Sequence, residues 1–312
     1  MTKEELRILF MGTPDISRRC LEQLISDGYN IVGASTRRDK PVGRKQVMTA
    51  PPVKEVALRH GIPVYQPKTL KGKYGQVIAD IAPDMIVVVA YGRILPKDVI
   101  DVPRLGCLNL HVSLLPKYRG AAPIQWAVIN GEKQTGVTVM MIDEGLDTGD
   151  IIDVLPIDIG EDETSEDVFE KVTERGKIFL SKVIMDVAQG NFTRTQQDHS
   201  KATLAPPLEK EMGLFDFGED ARTIHNRIRG MYSWPCAYFM YEGKKIKVLS
   251  SRKRGECSEA AGTVIATKPL TVATGNGAIR MLTLSPEGGK TMDGTSWANG
   301  RRLKKGSVIV TD

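Results

Sequence analysis

Met85-Ile86-Val87-Val88-Val89-Ala90 is an uninterrupted apolar run dominated by β-branched residues. A run with no polar alternation is the pattern of a strand covered on both faces, as in the middle of a parallel sheet. Upstream, Leu6-Arg7-Ile8-Leu9-Phe10-Met11 reads as a second buried strand ending at Gly12, and Cys20, Leu21, Leu24 and Ile25 then recur at helical spacing up to Gly28. Residues 30–34 are a further strand candidate, 53–60 a helix stopped by Gly61, and Ile62-Pro63-Val64 opens another extended piece. Downstream, 107–111, 137–142 and 151–157 read as strands, and the pattern predicts a long helix over 165–188. Strand alternating with helix over this length predicts an α/β domain in residues 1–190, a doubly wound, mostly parallel sheet wrapped by helices.

The texture then changes. Residues 191–208 are polar and aperiodic, run through Ala205-Pro206-Pro207, and read as a linker. In 209–312 a short helix is expected at 220–231, followed by brief apolar segments at 237–240, 246–249, 262–265, 270–273, 279–284 and 308–310. Turn residues separate them, at Glu242-Gly243, Gly275-Asn276-Gly277 and Glu287-Gly288-Gly289. Short strands at this spacing suggest a small β-barrel. Two domains also suit 312 residues.

Composition narrows the function classes. Hydrophobic residues make up 41% and charged residues 26%, a globular balance, and no apolar run approaches the roughly 20 residues that span a bilayer. Met1-Thr2-Lys3-Glu4-Glu5 mixes charges and does not read as a signal peptide. Cys20, Cys107, Cys236 and Cys257 show no CxxC and no metal-ligand spacing, so a reduced cytoplasmic protein without a metal site is expected. The net charge of +5 is unevenly placed: residues 1–208 hold 26 Lys and Arg against 27 Asp and Glu, whereas 209–312 hold 17 against 11. A basic back third suggests a polyanionic partner, although a solvated Lys-rich surface would give the same count. The glycines after the first strand, in Gly12-Thr13-Pro14-Asp15, form neither a dinucleotide fingerprint nor a P-loop, which counts against NAD and ATP enzymes.

Two polar clusters follow strands. In Asn109-Leu110-His111 the Asn and His lie two residues apart, so their side chains leave the same face at a strand end, with a Pro- and Gly-rich loop behind them. Strand carboxyl ends are where doubly wound sheets build sites. The second cluster is Asp143-Glu144-Gly145-Leu146-Asp147-Thr148-Gly149-Asp150, whose glycines would let a carboxylate loop fold back over the neighbouring strand end. Asn, His and Asp together suit acyl transfer without a covalent enzyme intermediate: the first two can donate to a developing oxyanion and the third can orient the imidazole. Ser113 has no histidine placed by the sequence to activate it as a nucleophile. A lone strand-end His and an Asp-x-Gly turn are, each alone, more often structural.

The segments Asn109-Leu110-His111, Ser113-Leu114-Leu115-Pro116-Lys117-Tyr118-Arg119-Gly120-Ala121-Ala122-Pro123-Ile124-Gln125 and Gly145-Leu146-Asp147-Thr148-Gly149-Asp150 resemble the formyltransferases that use 10-formyltetrahydrofolate. The resemblance extends to residues 6–15, Val87-Val88-Val89-Ala90-Tyr91-Gly92 and Leu95-Pro96, and weakly across the back third. It implies formyl transfer from 10-formyltetrahydrofolate, here to the α-amine of initiator methionyl-tRNA for translation initiation. A monomer with no obligate protein partner is expected, although the sequence is silent on oligomeric state. The resemblance implies Asn109, His111 and Asp147 as catalytic residues and Ser113, Leu114, Leu115 and Pro116 as lining the folate site. Residues 37–45, with five basic residues and one acidic, resemble the loop through which the family meets the acceptor end of tRNA, which assigns Lys40, Arg44 and Lys45 to tRNA. The back third is then an OB-like tRNA-binding barrel. Ile16 departs from the Phe often found after Gly-Thr-Pro-Asp, and the residues flanking Arg44 depart from the usual pattern. The competing readings are a formyltransferase for a nucleotide-sugar amine or glycinamide ribonucleotide, a folate-dependent hydrolase, and a non-catalytic RNA-binding protein.

Overall fold

The computed structural model describes residues 1–43 and 45–309, which fall into two compact units. The first comprises residues 1–120, 136–157 and 170–204, and the second 121–135, 158–169 and 205–312. No helix among the described residues is long and apolar enough to cross a membrane.

The seven-stranded sheet of the first unit runs, edge to edge, Ile151–Asp158, Gln134–Met141, Cys107–His111, Met85–Val89, Arg7–Gly12, Asn30–Ser35, Val64–Tyr65. From Cys107–His111 to Val64–Tyr65 all pairings are parallel, and Gln134–Met141 runs antiparallel to Cys107–His111. All five residues of Met85–Val89 are buried, as are Ile8, Leu9, Phe10 and Met11 beside them, which is why neither strand alternates. Burying each such side chain contributes about 1.5–3 kcal/mol. The chain adds strands on one side of Arg7–Gly12 and then on the other, so the order reverses between Arg7–Gly12 and Met85–Val89, and the carboxyl ends there form the natural crevice. Gly12 is required at this point. A Cβ on it would lie 2.6 Å from the Cβ of Ser17, whose hydroxyl donates to the Val89 carbonyl at 2.6 Å. That bond seats the helix Asp15–Ser26 on the end of the central strand.

The second unit holds an antiparallel sheet in the order Ala237–Tyr241, Lys244–Arg254, Ala278–Pro286, Leu270–Ala273, Val264–Thr267, with Met292–Asp293 also paired to Ala278–Pro286. Its core is aromatic: Phe215, Phe217, Phe239 and Trp297 are buried together with ring centroids 5.3 to 5.8 Å apart. The helix Ala221–Gly230 adds Ile224 and Ile228 to that core.

The compact units do not follow the expected sequence ranges one for one. Residues 121–135 and 158–169 group with the C-terminal part. The physical reason is a close helix pair: a Cβ on Gly230 would lie 2.5 Å from Ile129, so the helix Pro123–Ile129 rests directly on Ala221–Gly230. Nor is the 191–208 stretch featureless. Thr195 bridges Ile151, His199–Lys201 form a 3₁₀ turn, and Leu204–Ala205 pair with Arg119–Gly120. The expected strand at 308–310 is a single bridge at Val308, with Val310 outside the described residues.

Candidate active site

Asn109 and His111 sit on the buried strand Cys107–His111, opposite Met140 and Thr138 of the antiparallel neighbour. His111 is 6% exposed. Its Nε2 lies 2.9 Å from the carbonyl of Tyr118, and because a carbonyl only accepts, that nitrogen carries a proton. The Nδ1 then faces the Asp147 carboxylate, with Oδ2 at 3.6 Å. This is an ion-pair separation for a protonated ring but too long for a hydrogen bond. Asn109 is half-buried, and among the described residues its side-chain amide has no hydrogen-bond partner.

The loop after the strand is locked from beneath. The Thr138 hydroxyl donates to the Ser113 carbonyl at 2.7 Å and accepts from Leu115 N at 3.2 Å. The Ser113 hydroxyl donates to the Lys117 carbonyl at 2.7 Å, so it serves the loop's shape and touches no histidine. Ser113 and Leu115 are buried, and Leu114 and Pro116 are half-buried. The carbonyl of Tyr118 is thereby aimed at His111.

Asp147 reaches the site because its loop folds back, as the glycines suggested. Met141 N donates to the Asp150 carbonyl at 2.9 Å, and a Cβ on Gly149 would fall 1.9 Å from the Met141 carbonyl oxygen, so only glycine fits there. Asp143 Oδ1 accepts from Gly145 N at 3.0 Å and from the Thr148 hydroxyl at 2.7 Å, which closes the turn. Asp147 itself has a left-handed backbone, φ +53°, and its Oδ2 accepts from Gly120 N at 2.8 Å. Sequence reasoning missed Gln197, a buried residue in the stretch read as a linker, which contacts both this loop and Arg119. A buried glutamine in an aperiodic polar stretch leaves no pattern that would distinguish it from a solvated one.

Among the described residues no contact brings Lys40 or Lys45 to this cluster. Residue 40 belongs to an exposed hairpin, Lys40–Val42 with Val47–Thr49, and Lys45 lies exposed at its tip, while Arg44 falls outside the described residues. The single acid of the segment, Asp39, is held by Lys54 Nζ at 2.9 and 2.8 Å and by Gln66, and the lysine bond keeps its carboxyl below the usual range. The hairpin therefore presents basic charge. Among the described residues no group of three or more His, Cys, Asp or Glu could hold a metal ion. A surface recess lined by Arg7, Val32, Tyr65, Val77, Asp80 and Ile81 contains none of the site residues.

Residues 6–184 match the family described as Formyl transferase, and residues 207–302 match Formyl transferase, C-terminal domain. A protein of Alkaliphilus oremlandii named methionyl-tRNA formyltransferase is 42% identical over 308 residues, covering 97% of this chain and 99% of its own. The protein of that name from Bacillus subtilis is also 42% identical, covering 97% of each chain. Among solved structures, the sugar 3N-formyl transferase WlaRD superposes with a TM-score of 0.67 at 18% identity, over 89% of this chain and 98% of that one. HypX from Aquifex aeolicus, in complex with tetrahydrofolic acid, gives a TM-score of 0.63 at 18% identity over 99% of this chain and 51% of that one. The structural likenesses show a shared fold; the sequence matches go further, and by them the chain belongs to the formyl transferase family.

Proposed function

We propose that this protein transfers the formyl group of 10-formyltetrahydrofolate to the α-amino group of initiator methionyl-tRNA, for translation initiation. The observation that carries the chemistry is the Asn109 amide, without a hydrogen-bond partner among the described residues, on the strand whose His111 turns Nδ1 toward the Asp147 carboxylate, 3.6 Å away. The name of the 42% identical relatives supports the acceptor.

The folate cosubstrate supplies a formyl carbon activated by the nitrogen that carries it. Two N–H donors and a carboxylate are a fitting donor set for that group. Asn109 Nδ2, and His111 Nδ1 when the ring carries both protons, donate to the formyl oxygen as it takes negative charge, which arranges the stabilisation before the reaction needs it. Because Nε2 is spent on the Tyr118 carbonyl, Nδ1 is the ring nitrogen that faces the reacting atoms. Asp147 holds the ring in this sense and helps move the amine's proton toward the departing nitrogen. Ser113, Leu114, Leu115 and Pro116 line the pterin's pocket, with the loop backbone fixed by Thr138.

Lys40, Arg44 and Lys45 meet the tRNA from the first unit. In the second, the strand Lys244–Arg254 exposes Lys244, Lys245, Lys247, Arg252, Lys253 and Arg254, a surface suited to phosphates. A monomer working in the cytoplasm, where both substrates occur, completes the reading.

The test is transfer of labelled formyl with initiator methionyl-tRNA as acceptor, for the wild type and Asn109→Ala. Label should appear on the tRNA, and the variant should turn over about 10²–10³-fold more slowly at saturating substrates. Release of labelled formate with no acceptor present would identify a hydrolase instead, and an unimpaired variant would remove Asn109 from the mechanism.

A further inference from the structure

We propose that Gln197 is a positioning residue for formyl transfer: it clamps the backbone of the Asp147 loop to Arg119 and so sets the Asp147 carboxylate beside His111. The inference rests on the reading of Asp147 as part of the reacting site. Gln197 is 4% exposed, and both ends of its amide are used. Nε2 donates to the carbonyls of Asp147 at 2.9 Å and Gly149 at 2.7 Å, while Oε1 accepts from Arg119 Nε at 3.2 Å and Nη2 at 2.6 Å. A guanidinium only donates and a carbonyl only accepts, so the amide has one orientation that satisfies all four bonds.

The rest of the circuit closes on the same carboxylate. Arg119 is 7% exposed, and its Nη2 also reaches His199 Nδ1, the acceptor there, at 3.1 Å. These acceptors are neutral, so the buried charge makes charge-assisted bonds that hold Gln197 firmly. Gly120, the next residue, donates its N–H to Asp147 Oδ2 at 2.8 Å. Residues 119–120 therefore hold Asp147 twice, directly through the side chain and through Gln197 at the backbone. Asp147 needs such holding because a non-glycine residue at φ +53° persists only where its surroundings enforce it.

Gln197→Glu separates the two halves of the clamp. The carboxylate still accepts from Arg119, but an oxygen now faces the Asp147 and Gly149 carbonyls and nothing donates to them. The measurement is steady-state formylation with both KM values, a thermal midpoint, and Asp147→Asn run in parallel. With the clamp acting as proposed, the midpoint falls but kcat per folded molecule also falls roughly 10–100-fold, the cost of a misplacement of about 1 Å, while both KM values stay within about threefold. A merely structural glutamine would lower the midpoint and the folded fraction and leave kcat per folded molecule unchanged, which would overturn the proposal. Should Gln197→Glu not fold, Gln197→Met removes the same donors and is read the same way; failure of both to fold would also overturn it. If Asp147→Asn is fully active, the reading of the site has failed; if only Asp147→Asn is impaired, the clamp alone has failed.

Discussion

His111 has both ring nitrogens accounted for by geometry, Nε2 by the Tyr118 carbonyl that needs its proton and Nδ1 by the Asp147 carboxylate it faces. The carboxylate's charge is therefore what distinguishes this site from a hydrogen-bonded histidine in any core. Asp147→Asn keeps the side chain's size but removes the charge, and it can turn an N–H donor toward the ring. The expected outcome is a loss of about 10²–10⁴ in kcat, the range for a disabled acid–base group, with little change in the thermal midpoint. Steady-state kinetics beside a melting curve checks it. The cysteines make no comparable demand on the chemistry: burial pushes the Cys20 and Cys107 thiols up to about 12, as expected for inert core residues.

At the scale of elements, the turn from Met141 to Asp150 decides whether Asp147 reaches the strand end at all. Gly149→Ala would put a methyl group where the Met141 carbonyl already is, and the backbone must move. We expect destabilisation of about 1–3 kcal/mol and a larger fall in kcat than in stability alone, measured by denaturation and turnover on one preparation. The long elements were legible beforehand. The strand Cys107–His111 and the helix Ser165–Ala188 match their expected ranges because a buried strand and an amphipathic helix of 24 residues leave strong patterns. That helix opens on a further signal, Thr164 and Asp167 bonding reciprocally through Asp167 N to Thr164 Oγ1 at 3.2 Å and Thr164 N to Asp167 Oδ2 at 2.9 Å. The hairpin Lys40–Val42 with Val47–Thr49 left none, since both three-residue strands are wholly exposed. The grouping of Pro123–Ile129 with Ala221–Gly230 was equally hidden: it depends on Gly230 and Ile129 meeting across a long sequence separation, which periodicity does not record. Of the candidate site, Asn109 and His111 were visible as polar residues at a strand end and Asp147 in a glycine-rich loop, whereas Gln197 and the Tyr118 carbonyl make contacts that only folding creates.

For the whole molecule, pH and partner choice are the accessible handles. His225 is buried in the second unit with Ser251 Oγ at 2.9 Å and the Glu161 carbonyl at 3.2 Å, and facing Asp162, Arg229 and Arg252. Burial, aided by the two arginines and opposed by the Glu161 bond and Asp162, holds its pKa below the ordinary 6.5. On acidification the unfolded chain therefore takes up this proton before the folded one does. His225 contributes stability in full above pH 6.5, and the contribution is lost as pH falls from there through the lowered folded value. The unfolding free energy should fall over that interval, with a slope from this group of at most about 1.4 kcal/mol per pH unit, the thermal midpoint should follow it, and His225→Gln should flatten the dependence.

Partner choice tests the central claim most directly. Labelled 10-formyltetrahydrofolate is offered with initiator methionyl-tRNA and elongator methionyl-tRNA in parallel reactions at fixed salt. Formylation of the initiator tRNA and exclusion of the elongator is the result the account predicts. Label on neither tRNA, but on a small amine such as a nucleotide sugar, would contradict the assigned acceptor and leave the first unit's chemistry with a different substrate.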